Sequence, residues 1–355
     1  MATPSKALWA TLVSHQLVDG DMPEFKTLPT PWYIRVLHGF GGWTAACFLI
    51  LFLAAGLADI LENTVGSLFI ATISIGVAYF LYQNKAESDF YNIFALSLSF
   101  VGQGILLFRL IDADLSVSIT WGLWALLQIA MVAFIPNYLH RILSSIAAIT
   151  GLAIVAIDHQ LLDLIIAFCA SALTFIFLYE YTWHQFRNYL YPIGYALLLT
   201  LLSSLIAMVI IGGPNEIGRM LGEAPIQASL VSHYLYEATI AVLFIYTAHH
   251  LLKRQSTNKH ILIAAYIVAG IFSLLTLEVS GFALSMIVVL LGFNNGNRLM
   301  LSLGIASLLF FVSFYYYNLD TTLLIKSLLL IALGAVFLIA RYILAKKLPL
   351  GDQHA

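Results

Sequence analysis

The chain has few charged residues for its length. Lys, Arg, Asp and Glu make up 10% of its 355 residues, whereas soluble globular domains carry about 25%. The formal net charge is -2, so the chain lacks the clustered excess of Lys and Arg that binds phosphate backbones. These two shortages argue against a soluble domain and against a nucleic-acid partner.

Cysteines and catalytic motifs are equally scarce. The two cysteines, Cys47 and Cys169, both lie in apolar runs, which predicts neither a disulfide framework nor a CxxC site. The sequence contains no Walker loop, HExxH, GxSxG or closely paired carboxylates. Histidines such as His249 and His250 lack the spacing and carboxylate support of metal or haem sites. We therefore expect no metal or cofactor, and an enzyme, such as one acting on lipid, is the least supported class.

Apolar residues are what the chain has in abundance, at 61% with a mean hydropathy of +0.93. A helix needs about 20 apolar residues to cross a hydrocarbon layer roughly 30 Å thick. Successive segments bounded by polar, Pro or Gly residues meet this need. They lie near 34–58, 65–82, 90–110, 115–136, 139–157, 161–180, 189–211, 228–252, 260–277, 279–293, 298–316 and 321–345. The sequence therefore predicts an all-α, polytopic transmembrane helix bundle of about 12 spans.

The loop charges predict the orientation of this bundle. Lys and Arg concentrate on the cytoplasmic side of membrane proteins. With both termini inside, only Arg109 and Arg219 lie on the outer side, and Lys326 lies within a span. The remaining Lys and Arg residues all fall on the cytoplasmic side. We therefore predict that the N and C termini are both cytoplasmic.

Three parts of the chain are predicted from these patterns. Residues 1–33 form a cytoplasmic segment with a short amphipathic helix and a Pro-containing linker. The amphipathic helix is expected either on the membrane surface or docked on the protein itself. Residues 34–345 form the transmembrane bundle, with Gly39, Gly41 and Gly42 admitting a close neighbouring helix. Residues 346–355 form a cytoplasmic tail.

Two halves of the bundle, 34–180 and 189–345, show a weak internal similarity. The matched residues are Asn137 with Asn294, Arg141 with Arg298, and Asp163 with Asp320. A repeat of six spans in the same orientation is known from some secondary transporters. Chance similarity between two apolar hairpins explains the match at least as well, so the 6+6 parallel repeat is a weak prediction.

Few ionisable residues fall within the predicted spans, and such residues indicate functional sites. Glu237 lies deepest, in the eighth span, and His233 shares its helical face one turn earlier. Lys326 lies in the last span at a predicted depth similar to that of His233. We predict a polar cluster of these three residues in the outer half of the bundle, with Glu278 as an alternative partner of Lys326. The cluster would relay protons or coordinate a polar substrate, or it would only fix how helices meet.

Three stretches resemble a known family. They are LLGFNNGNRLMLSLGIASLL, FYYYNLDTTLLIKSLLLIALGAVFLIARYIL and PWYIRVLHGFGGWTAA. They are similar to an uncharacterised family of bacterial multi-pass membrane proteins, often encoded beside a membrane-anchored protein with a GDYxxLxY signature. The resemblance implies a location in the cell inner (cytoplasmic) membrane and a partner of that kind, and it carries over no functional residues.

Two functions fit these expectations. One is a transporter-like or channel-like component that uses the polar cluster. The other is a non-catalytic membrane scaffold that docks a membrane-anchored partner with a periplasmic domain. A transporter needs a polar cavity between its helices, whereas a scaffold is packed shut and presents a docking face.

Overall fold

The structure, a computed structural model, describes residues 9, 11–15, 18, 32–56, 62–84, 89–211, 230–254, 281–318, 324, 327 and 331. All regular secondary structure within these residues is helical, which confirms the predicted all-α class. The longer α-helices are α1 (Trp32–Gly56), α2 (Thr64–Asn84), α3 (Asp89–Asp112), α4 (Val117–Phe134), α5 (Tyr138–Asp158), α6 (Leu162–Leu178), α7 (Arg187–Ile211), α8 (Leu230–Arg254), α9 (Phe282–Asn294) and α10 (Arg298–Asn318). A 3-10 turn, His184–Phe186, leads into α7.

Each of these helices overlaps one predicted span, because each corresponds to one apolar run. The predicted span 260–277 lies outside the described residues. The predicted span 321–345 is described only at Leu324, Ser327 and Ile331, which are helical. Of the predicted N-terminal amphipathic helix, Trp9 and residues 11–14 are helical, and most of the rest is outside the described residues.

Six described helical stretches are long and apolar enough to cross a membrane. They comprise α2, α3, α4, α5, the continuous stretch His184–Ile211 and the stretch Arg298–Tyr317. The helices α6 and α9 are also apolar but shorter. The chain is therefore a helical membrane protein with several apolar helices.

The chain divides into two compact units, Met1–Leu106 and Leu107–Ala355. In the first unit, glycines bring helices into close contact. A Cβ atom added at Gly42 of α1 would lie 3.0 Å from the Cβ atom of Ile93 in α3. One added at Gly102 of α3 would lie 2.7 Å from the carbonyl oxygen of Ala71 in α2. Small residues pack membrane helices in this way, so the predicted close approach to the first span is confirmed at Gly42.

In the second unit, α4 and α5 form an antiparallel hairpin. Asn137 caps α5, because its side-chain oxygen accepts a hydrogen bond from the backbone N–H of His140 at 3.0 Å. At the other end of the hairpin, the Ser118 hydroxyl donates to the carboxylate of Asp158. Helix α5 then packs against α7.

An apolar core lies where α6, α7, α8 and α9 pack together. Helices α6 and α9 are shorter than the other core helices, and more than half of their residues are buried, because neighbouring helices surround them. The fully buried core residues include Leu173, Leu198, Leu284, Ile287 and Leu291.

The C-terminal ends of α6, α8 and α9 meet at one end of this core. The hydroxyl of Tyr179, just after α6, forms a hydrogen bond with the Tyr246 hydroxyl near the end of α8. The Asn295 side-chain amide, just after α9, donates to the carbonyl oxygen of Phe177 at 2.9 Å. The Phe177 ring also contacts the Tyr191 ring near the start of α7. Helices α6, α8 and α9 therefore run in one direction and α7 in the opposite direction.

The residues matched in the predicted internal repeat occupy different places. Asn137 precedes α5 as its cap and Arg141 is buried. Asn294 is instead the last residue of α9, and Arg298 is the exposed first residue of α10. Asp320 lies outside the described residues, so the 6+6 repeat stays a prediction.

Candidate functional site

Helix α8 carries a buried carboxylate, Glu237. Its residue is only 7% exposed, as is that of the preceding Tyr236. Tyr236 interacts electrostatically with Glu237 and with Asp163, which lies in the first turn of α6. Helices α6 and α8 pack against each other, so two acidic residues and a tyrosine gather around this contact.

The other members of the predicted polar cluster are only partly described. His233 lies in α8 one turn before Glu237. Glu278 and Lys326 are outside the described residues, so the pairing of Lys326 with Glu237 or with Glu278 stays a prediction. Asp163 was not predicted as a member of this site. Within the described part of the chain, no group of three His, Cys, Asp or Glu residues is arranged to hold a metal ion.

In the second unit, a cavity of about 730 Å³ opens beside the C-terminal end of α4 and the N-terminal ends of α5 and α7. We call it the arginine cavity. It is lined by Pro136, Tyr138, Arg141, Arg187, Asn188, Tyr189 and Tyr191. Among the described residues, two arginines, four further polar side chains and no carboxylate form its wall.

Arg141 is the buried member of the arginine cavity, at 7% exposure. Its Nε atom donates to the carbonyl oxygen of Val132 at 3.1 Å, and its Nη1 atom donates to the carbonyl oxygen of Asn188 at 2.9 Å. Its guanidinium carbon lies 4.0 Å from the centre of the Tyr189 ring. The side chain thus joins the end of α4 to the start of α7, and its orientation is fixed.

Arg187 is the first residue of α7 and also lines the arginine cavity. Its guanidinium carbon lies 4.9 Å from the centre of the Tyr191 ring, and its side chain forms a hydrogen bond with that tyrosine. Neither Arg141 nor Arg187 forms an ion pair with a carboxylate of the described residues. The arginine cavity consequently carries two cationic side chains whose charges are not balanced by salt bridges there.

One acidic residue near this cavity, Glu180, has other partners. Its Oε2 atom accepts a hydrogen bond from the Asn295 side-chain amide at 3.0 Å, and it forms a hydrogen bond with Tyr191. The α9–α10 connection adds a second bridge, in which the Asn297 side-chain amide donates to the Tyr195 hydroxyl. These contacts join the α6–α7 and α9–α10 connections to the first turns of α7, next to the arginine cavity.

The chain matches a known protein family, but the match does not identify a chemical activity. Residues 31–347 match the family described as domain of unknown function DUF4401. The chain belongs to this family. No curated protein and no solved structure matches it. The family match confirms the predicted membership of an uncharacterised family and covers both units of this DUF4401 protein.

Sequence reasoning missed the arginine cavity of this DUF4401 protein. In the sequence, Arg187 served as a marker of the cytoplasmic side, and Arg141 served as such a marker and as a matched residue of the weak internal repeat. The available signal was that Arg141 lies in the first turn of a predicted span and Arg187 lies two residues before another, with tyrosine and asparagine neighbours in NYLHR and FRNYLY. Two such polar helix starts on one predicted side of the membrane are able to meet, and in the structure they do.

Proposed function

We propose that this DUF4401 protein is a transporter-like or channel-like component of a bacterial inner membrane, with about 12 spans and both termini in the cytoplasm. The common direction of α6, α8 and α9 supports this topology. These helices correspond to the sixth, eighth and tenth predicted spans, which must all cross in the same direction if spans alternate. The arginines around the arginine cavity then lie on the cytoplasmic side, in agreement with the positive-inside rule.

The observation that carries the proposal is the burial of Glu237 beside Tyr236, with Asp163 acting on the same tyrosine. A carboxylate within a membrane span is costly, and such residues occur mainly along ion or substrate pathways and in proton relays. Glu237 is the titrating or cation-binding group of this proposal. The hydroxyl of Tyr236 and the carboxylate of Asp163 determine the polarity around it.

Water access to the face of Glu237 tests the proposal without knowledge of the substrate. Ala241 lies one turn after Glu237 on α8 and is half-buried, whereas the neighbouring Val242 is 64% exposed on the bundle surface. Single cysteines are introduced at these positions after the native Cys47 and Cys169 are replaced by alanine. A membrane-impermeant thiol reagent is then applied to cells from outside and to inverted vesicles.

A transporter-like pathway predicts that the cysteine of Ala241→Cys reacts from at least one side, while that of Val242→Cys, facing lipid, stays unmodified. Glu237→Gln should change the reaction rate at position 241, because the carboxylate helps to hydrate the pathway. If positions 241 and 242 are equally unreactive from both sides, no aqueous pathway passes Glu237 and the transport proposal fails.

A membrane scaffold is the second candidate function, and it is favoured by a different observation. Between the ends of α6, α7, α8 and α9 the core residues Leu173, Leu198 and Ile287 have no exposed surface, so this part of the bundle is packed shut. The proposed partner is a membrane-anchored protein of the GDYxxLxY type with a periplasmic domain. Purification in mild detergent tests it: one stoichiometric partner of that kind supports the scaffold, and recovery of the chain alone contradicts it.

A further inference from the structure

We propose that the arginine cavity is a binding site for a phosphate-bearing anion, with Arg141 and Arg187 donating to its oxygens. The inference does not depend on the transport proposal, because it concerns different residues at the opposite end of α6 and α8 from Asp163 and Glu237. It rests on three features of the described residues: a buried guanidinium that is fixed in place, a second guanidinium facing the same cavity, and the lack of a carboxylate in the wall.

Arg141 retains donors for a ligand. An arginine has five N–H groups, and the two bonds to Val132 and Asn188 use one at Nε and one at Nη1. Because the side chain is already held by these bonds and by the Tyr189 ring, a ligand does not have to order it. Such preorganisation lowers the cost of binding.

The buried charge of Arg141 also favours an anion. A cation removed from water is stabilised by an opposite charge, and here its direct partners are two neutral carbonyl oxygens and an aromatic ring. Glu180 does not line the cavity and is engaged by Asn295 and Tyr191. A bound anion would supply the countercharge that the wall of the arginine cavity lacks.

Phosphate is the anion that suits two arginines best. The planar guanidinium presents paired N–H donors that match phosphate oxygens in a two-point contact. Arg187 and Arg141 both line the cavity, and their guanidinium groups lie over the rings of Tyr191 and Tyr189, respectively. The cavity volume of about 730 Å³ is within the range of about 300–1,000 Å³ that is usual for small-molecule sites.

Two sources supply this chemistry: an anionic phospholipid headgroup and a soluble phosphate ester. The segment before α7 bears exposed aromatic side chains, Tyr181, Trp183 and Phe186, of the kind that sit at the headgroup level of a membrane. Basic pockets between helices on the cytoplasmic side bind anionic lipid headgroups in other membrane proteins. The test below distinguishes the two sources.

The full-length protein is purified in neutral detergent, depleted of lipid and titrated separately with phosphatidylglycerol, phosphatidylcholine and glycerol 3-phosphate. Binding is counted by native mass spectrometry and confirmed by the rise in melting temperature. Arg187→Gln removes one cavity cation, and Arg298→Gln removes an exposed cation at the start of α10 as the matched control. We expect Arg187→Gln to raise the Kd about tenfold or more, because a charged hydrogen bond is lost, and Arg298→Gln to leave it unchanged.

Preferential binding of phosphatidylglycerol over phosphatidylcholine identifies a lipid headgroup as the ligand. Binding of glycerol 3-phosphate with an affinity similar to that of phosphatidylglycerol identifies a soluble ester. Either result supports the site if Arg187→Gln weakens the binding. If Arg187→Gln does not fold, the comparison of Arg187→Lys with Arg298→Lys replaces it, because lysine retains the charge and loses the paired donors. The proposal is overturned if neither anion binds more tightly than phosphatidylcholine, or if the Arg187 variant binds as well as its Arg298 counterpart.

Discussion

The guanidinium of Arg141 lies against the face of Tyr189, 4.0 Å from the ring centre, and bonds the carbonyl oxygen of the residue before that tyrosine, Asn188, at 2.9 Å. Arg141, in the first turn of α5, thereby holds the first turn of α7 in position. The same side chain reaches back to Val132 near the end of α4. One arginine holds three helix ends in place, so the shape of the arginine cavity depends on it.

Replacing Arg141 should therefore destabilise the second unit even without a ligand. Arg141→Met leaves the carbonyl oxygens of Val132 and Asn188 without their donor, and we expect the free energy of unfolding to fall by about 2–3 kcal/mol. Arg141→Lys should lower the free energy of unfolding by less, because lysine keeps the positive charge, although it loses the paired N–H donors. Arg298→Gln, at an exposed arginine, should stay within about 0.5 kcal/mol of the native protein. Unfolding in mixed micelles measures all three, and equal values for Arg141→Met and Arg298→Gln would contradict the structural role.

A second connection, between Asn295 and Glu180, should be measurable as a coupling energy. The Asn295 amide bonds the Glu180 carboxylate at 3.0 Å and the Phe177 carbonyl oxygen at 2.9 Å. Asn295→Ala, Glu180→Ala and the double variant form a double-mutant cycle. The losses of unfolding free energy in the two single variants should together exceed the loss in the double variant by about 0.5–1.5 kcal/mol. Unfolding in mixed micelles again gives the values. Strictly additive losses would show that the hydrogen bond between these side chains contributes nothing.

Much of this fold was predictable, because each membrane helix needs a continuous apolar run and polar loop residues separate one run from the next. The predicted span 115–136 and the observed α4, Val117–Phe134, differ by two residues at each end, since Ser116 and Pro136 mark both boundaries in the sequence. The short α9 was also predicted, as the run before the polar stretch Asn294–Asn297.

The arginine cavity could not be predicted in the same way. Hydropathy places Arg141 and Arg187 on one side of the membrane, but it does not say which helices are neighbours. Arg141 enters the protein because α5 packs against α7 and brings Asn188 within reach. Arg298 has the same predicted location and the same charge, and it remains exposed. The difference between them arises from tertiary packing.

The turn that begins α9 gives a test of backbone strain combined with packing. Gly281 has a φ of 84°, and a Cβ atom there would lie 2.5 Å from the ring of the buried Phe311. Gly296 also has a positive φ, 62°, but has no atom within 4 Å of an added Cβ. Gly296→Ala should cost about 1–2 kcal/mol from backbone strain alone, and Gly281→Ala clearly more. Melting temperatures of the two variants in detergent give the comparison, and the additional steric explanation fails if Gly281→Ala costs no more than Gly296→Ala.

In the first unit, the same substitution at two glycines of one helix should have different effects on stability. Alanine is preferred to glycine in a helix by up to about 1 kcal/mol, so Gly104→Ala, at an exposed position with no atom within 4 Å, should leave α3 as stable or more stable. Gly102→Ala instead places a methyl group 2.7 Å from the carbonyl oxygen of Ala71 and must separate α2 from α3. We expect its melting temperature to fall below that of the native protein, and a rise for both variants would contradict the close contact between these helices.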